Sequence, residues 1–278
     1  MNFIKRYIPQ QVNTCISGIK FHFNALVLFR LFFIFFLSSF TVRNATAQSK
    51  NVTEKVIYPV FSGGLQLPLA DMAKRFATNG LVGTGFYFQT NRGNTLGLSI
   101  DFMFGDKVRE DSIMTDLLTQ RGFLIGLDGL LYEPIMQERA YHFQFLYGHL
   151  FSFNKQNEFS GLWTAVQVGF LQHKIRFQFD EPSKLPQLSK ELKKGYDRLT
   201  NGITFSEFVG WQYLSDNHMI NYRIGLETVQ GFTRNRRSVN FNTGLPDNSL
   251  RKDFLMGLKF SWILPFYLSG GSNKEYIY

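Results

Sequence analysis

The chemistry available downstream of residue 48 is narrow: four histidines, His142, His149, His173 and His218, and no cysteine, since Cys15 is the only one in the chain. A catalytic histidine needs a nucleophile within hydrogen-bond reach. No H-x-S pairing places a serine beside any of the four on one strand face. His142 with Asp101 or Glu227 is a conceivable base pair, but no nucleophile accompanies it. Metal-ligand spacing of the H-E-x-x-H kind and a glycine-rich phosphate loop are both missing from the sequence. The expectation is a protein without catalytic residues, metal site or cofactor, and not an enzyme.

Three other groups of polar residues stand out. Asp101, Arg223, Glu227 and Lys259 lie within apolar alternations, two acids against two bases, as an ion path or a charge-balanced plug would have them. Arg234, Arg236 and Arg237 form a basic cluster in TRNRRS. Arginine pairs bidentately with phosphate, so this cluster suits lipopolysaccharide head groups or an acidic partner; a solvated charge run has the same composition. His149 and Glu207 interrupt otherwise apolar faces. Either a β-bulge turns Glu207 inward, or this wall meets another protein.

The elements that position these groups are strands. In DFLMGLKFSWILPFY, the positions Phe254, Met256, Leu258, Phe260, Trp262, Leu264 and Phe266 are large and apolar, whereas Asp253, Gly257, Lys259 and Ser261 alternate with them. The same period of two runs through residues 56–69, 81–90, 95–105, 122–132, 140–153, 161–173, 203–214 and 219–232. Aromatic residues make up 17% of the chain, yet the mean hydropathy is −0.12. That combination is what alternating membrane strands produce. Bacterial single-chain barrels have an even strand number, short turns on the periplasmic side and longer loops outside. Short polar links at 91–94, 154–160 and 215–218 fix the periplasmic side and relegate 122–132 to a loop, which leaves eight strands. The expected fold is all-β, a closed antiparallel eight-stranded transmembrane barrel with long extracellular loops at 70–80, 106–139, 174–202 and 233–252. Asp111 to Gln120 reads as a short helix in the second loop, and in the third Asp197 and Arg198 are placed to pair while Tyr196 covers the barrel mouth. Outward residues then meet lipid, and inward ones fill a narrow polar interior.

Ahead of the strands, LVLFRLFFIFFLSSF follows Lys5, Arg6 and Lys20 and ends near Ala45-Thr46-Ala47, the pattern of a cleaved secretory signal over 1–47. Five bases and no acid precede Gln48, so the formal charge of +9 falls to +4 beyond it, and nucleic acid is excluded as a partner. The remaining organisation is a short segment at 48–55, the barrel at 56–267 and a periplasmic tail at 268–278. Signal, girdled strands, GYDRLTNG before the sixth strand and the closing W-I-L-P-F-Y together resemble the outer-membrane β-barrel proteins of Bacteroidota, with the architecture of OmpA-like and opacity-like barrels. The resemblance carries over no catalytic residue. It implies an integral outer-membrane component that contacts lipids, lipopolysaccharide and other envelope proteins, including as an accessory subunit of a secretion or assembly complex. A small channel or a lipid-modifying enzyme are the alternatives.

Overall fold

In a computed structural model the described residues are 55–90, 92–110, 113–153, 157, 159–179, 182–189, 191–215 and 220–268. The expected signal at 1–47, residues 48–54, His218 and the tail beyond Leu268 lie outside them.

Eight strands carry the fold: β1 (Lys55–Leu69), β2 (Asn79–Gln89), β3 (Asn94–Gly105), then, after a small hairpin of the two-residue strands β4 (Leu124–Ile125) and β5 (Leu131–Tyr132), β6 (Ile135–Ser152), β7 (Gly161–Gln178), β8 (Thr200–Leu214), β9 (Asn221–Asn235) and β10 (Leu250–Ile263). Each pairs antiparallel with its neighbour in the ring, and β1 closes it by pairing β2 on one side (Val60↔Gly85) and β10 on the other (Val60↔Ile263). Closure removes every free sheet edge over that length, which backbone polar groups require in lipid. The run 122–132, set aside from the strand count on parity, holds only the short hairpin β4–β5.

The closing strand differs from the unbroken run expected at 253–267. β10 starts earlier, at Leu250, and stops at Ile263; β11 (Phe266–Leu268) then resumes the ladder against Lys55–Ile57. Pro265 lacks an N–H and interrupts the ladder. The Leu264 N–H still donates to the Pro59 carbonyl at 3.0 Å and keeps the register.

Faces follow the period of two. Leu98, Phe143, Phe145, Ile224, Leu258 and Phe260 are exposed on the outer wall, while Ser99, Asp101, His142, Gln144, Arg223 and Lys259 are buried inside. An apolar face turned outward around a buried polar centre is the inverse of a soluble barrel and marks a membrane-spanning one. Aromatics band the outer wall near both strand ends: Tyr213, Tyr222 and Phe260 form a row with ring centroids 5.6 and 6.2 Å apart, and Phe102 and Tyr141 meet at 5.2 Å.

The long connections are shorter than expected, at 70–78, 106–134, 179–199 and 236–249, because alternation continues beyond the membrane belt. β6 and β7 pair over their full length from Ile135↔Gln178 to Ser152↔Gly161. The β7–β8 ladder ends at His173↔Thr200, so the last five residues of β7 stand about 17 Å above β8. The first connection holds one helical turn, α1 (Ala70–Ala73). In the second, residues 113–120 of the expected helix form turns instead, Asp111 lying outside the described residues: Met114 has a φ of 60°, and Leu117 and Leu118 bond back to its carbonyl. A left-handed residue ends helical propagation there.

Candidate functional site

The interior is layered rather than uniformly polar. At the short-turn end Val56, Tyr58, Val60, Leu146, Leu150 and Leu214 are buried together in one apolar cluster inside the lumen. This departs from the polar interior expected of the sequence. Eight strands leave a lumen just wide enough for side chains, and apolar ones fill it without desolvation cost.

Arg223 borders that cluster. Its guanidinium carbon stands 3.4 Å from the Trp163 ring centroid and 5.5 and 5.8 Å from those of Tyr87 and Tyr58. Its Nε donates to Gln212 Oε1 at 3.2 Å and its Nη2 to the Tyr58 hydroxyl at 3.2 Å. No carboxylate of the described residues pairs with it. The four-charge network expected of the sequence therefore divides. Arginine's flat, weakly hydrated guanidinium tolerates an aromatic cage that an ammonium would not.

One layer higher, Lys259 Nζ donates to Asp101 Oδ2 at 2.6 Å and to Glu227 Oε1 at 3.1 Å, and Gln167 Nε2 donates to the same Glu227 oxygen at 3.4 Å. Asp101 and His142 are cross-strand partners, yet His142 Nε2 bonds Thr204 Oγ1 at 2.8 Å instead. That contact spans β7 over Gly169, where a Cβ would lie 2.8 Å from Thr204 Oγ1 and 3.1 Å from His142 Nε2. The conceivable His142–acid base pair is thus not formed. Asp101 Oδ1 and His142 Nδ1 have no partner among the described residues, the situation in which buried water supplies the hydrogen bond.

Nearer the loops lie two polar pairings that the sequence reading did not assign. His173 Nε2 sits 3.0 Å from Asp253 Oδ2, and the Thr233 hydroxyl donates to that same oxygen at 2.6 Å. Threonine reaches the carboxylate and not the imidazole, so the trio orders three strand ends and generates no nucleophile. Glu138 accepts two bonds from Asn79 Nδ2, at 3.0 and 3.1 Å. Both sets were accessible to the period-two rule, since each member occupies an inward position.

Above them the four connections fold into a cap. Met72 and Phe76 from the first, Ile113, Met114 and Leu124 from the second, and Leu185 and Leu188 from the third are buried together over inward residues such as Leu171 and Leu255. Glu110 locks the polar side of this cap. Its two oxygens accept from Arg75 Nε at 2.9 Å and from Arg198 Nε at 2.8 Å, and Arg198 Nη2 donates on to Asn242 Oδ1 at 3.0 Å. One carboxylate thereby ties all four connections. Burial raises the Glu110 pKa, but the Arg75 and Arg198 guanidiniums outweigh it and hold the carboxyl below its usual value. The expected Asp197–Arg198 pair does not form: Asp197 pairs with Arg237, while Tyr196 is buried edge-on against Phe241 at 5.3 Å. Arg198 is turned away from its sequence neighbour by a backbone φ of 50°.

The basic cluster is likewise dispersed. Arg234 is exposed near the end of β9, Arg236 bonds Asn201, and Arg237 is committed to Asp197. Glu207 faces outward. The ladders on both sides of it, Val166↔Glu207 and Glu207↔Thr228, run unbroken, which overturns the bulge. Its carboxylate accepts from the Thr228 hydroxyl at 2.7 Å on the same wall. His149, also outward, has Nδ1 2.8 Å from Asn94 Oδ1 and its ring 4.6 Å from Phe151.

No protein-family model matches the chain, and no curated protein matches it in sequence. Among solved structures it is similar to Neisserial surface protein A, with 6% identity and a TM-score of 0.43 over 76% of this chain and 97% of that one. Ail, the attachment invasion locus protein of Yersinia pestis, aligns at 8% identity and a TM-score of 0.37, covering 77% of this chain and 99% of Ail. The outer membrane protein OprG from Pseudomonas aeruginosa gives 9% and 0.33 over 77% and 96%.

Proposed function

We propose that the chain is a non-enzymatic integral outer-membrane barrel, exported through a cleaved signal peptide, that serves as a structural and partner-binding component of the cell envelope. The observation carrying this reading is the occupied lumen beneath a cap that Glu110 ties together from all four connections. The described side chains inside the lumen stand in the way of a substrate crossing it, and a cap with its own buried core offers a fixed surface rather than mobile lids. The resemblance to Bacteroidota outer-membrane barrels supports the same compartment.

The wall around Glu207 supports contact with another envelope protein. Ile203, Phe205, Val209 and Trp211 share its outward face, so this carboxylate lies within the apolar belt. Charge on the lipid face is costly there, and Thr228 supplies a single hydrogen bond. A partner that donates a second would relieve the cost. A photo-cross-linking residue at Glu207, compared with one at Leu226, tests this in whole cells. A discrete protein adduct from position 207 supports the reading. Lipid adducts alone from both positions count against it.

A further inference from the structure

Among the clefts at the loop end of the molecule, two differ in charge balance. The one lined by Asp106, Lys107, Arg109 and Glu133 balances its own charges. The other, about 600 Å³, does not: Lys174, Arg176, Lys193, Lys194 and Arg237 line it against a single carboxylate, Asp197. Asp197 is taken by Arg237, and Lys194 pairs with Glu191 at 2.7 Å. Lys174, Arg176 and Lys193 have no carboxylate partner among the described residues; Asp180 and Glu181 lie outside them. Three separate segments bring the cations together: the overhanging end of β7, the third connection and the fourth.

We infer that this cleft binds the phosphate-bearing head group of a glycolipid in the leaflet that surrounds the barrel. Its chemistry fits such a group. Phosphate takes charge-assisted hydrogen bonds from lysine and arginine, and Ser183 and Ser189 line the same cleft and add hydroxyls. The buried side chains of Ile175 and Leu188 give it an apolar floor, and its volume falls in the range of small-molecule sites. Its height fits as well. Outward residues of β7 change from Val168 and Phe170 to Gln172, Lys174 and Arg176. Lys174 is four residues past Phe170, roughly 13 Å along the strand and roughly 10 Å along the membrane normal at the usual tilt. That is the level of head groups, directly above the end of the apolar belt. Lysine and arginine on an open strand edge also discourage edge-to-edge pairing, but edge protection does not require Lys193 and Arg237 to converge from two other connections. The inference rests on the membrane-embedded reading and not on closure of the lumen, which conductance tests separately.

The test uses the full mature chain in phosphatidylcholine nanodiscs doped with bis-phosphorylated lipid A, with lipid retention read by native mass spectrometry. The Lys174→Gln, Arg176→Gln, Lys193→Gln triple variant is expected to retain about tenfold less lipid A. Arg121→Gln, an exposed charge of the second connection outside the cleft, is expected to retain as much as wild type. Dephosphorylated lipid A is expected to bind wild type no better than lipid A binds the triple variant. Equal retention by wild type and the triple variant would overturn the inference. So would tighter binding of soluble glucose 1-phosphate than of lipid A at matched concentration, which would mark a site for a soluble anion. Heat-modifiable electrophoretic mobility checks that each variant is folded; Lys193→Gln alone, a loop change, replaces the triple variant if that one does not fold.

Discussion

Two single residues each hold two opposite charges. Lys259 is shared by Asp101 and Glu227 inside the barrel. Breaking a buried pair by removing one partner costs about 3–5 kcal/mol, whereas replacing the whole set by neutral groups costs far less. Lys259→Met is therefore expected to destabilise the barrel by about that amount in urea unfolding. Adding Asp101→Asn and Glu227→Gln to it is expected to recover most of the loss. Glu110 makes a different prediction because its pKa is lowered in the fold. A carboxyl with a depressed folded pKa contributes stability that is fully present above its unfolded value and is lost as pH falls through the folded one. Limited proteolysis of the connections is expected to be slow at neutral pH and to accelerate below the ordinary carboxylate range. Glu110→Gln is expected to be cleaved on the order of tenfold faster at neutral pH, with the acid dependence reduced.

At the scale of elements, the outward faces of β7 and β8 set the insertion energetics. Val168 is exposed at mid-strand, and Val168→Lys is expected to cost about 2–4 kcal/mol of barrel stability in lipid. Glu207→Leu is expected to have the opposite sign and stabilise the isolated barrel by about 1 kcal/mol, as folding titrations in vesicles would show. The period of two made most of this legible. It placed Leu98, Phe143 and Ile224 outside and Asp101, Arg223 and Lys259 inside, and parity removed 122–132 from the strand count. It did not show where strands stop, because alternation in HKIRFQ continues β7 to Gln178, above the belt. Nor did it show pairing across the lumen. Arg223 and Glu227 are both inward on β9, yet one finds aromatic rings and the other Lys259, a choice made by neighbouring strands and not by spacing. The cap was illegible for the same reason: Arg75, Glu110 and Arg198 are separated by long stretches of chain and meet only when the barrel brings the connections together.

For the whole molecule, the decisive property is whether the barrel is closed. An apolar cluster at the short-turn end, the Arg223 cage, the Lys259 pairs and the folded cap succeed one another along the axis. Any one of them would obstruct a lumen as narrow as eight strands allow. Asp101 Oδ1 and His142 Nδ1, which have no partner among the described residues, lie between these layers, where buried water satisfies such atoms. Planar-bilayer recording of the purified chain at neutral pH is the most direct measurement. Preparations shown to be folded by heat-modifiable mobility are expected to give no stepwise conductance. Reproducible unitary openings from the wild-type chain, altered in size or ion selectivity by Lys259→Met, would contradict closure and assign the lumen to transport.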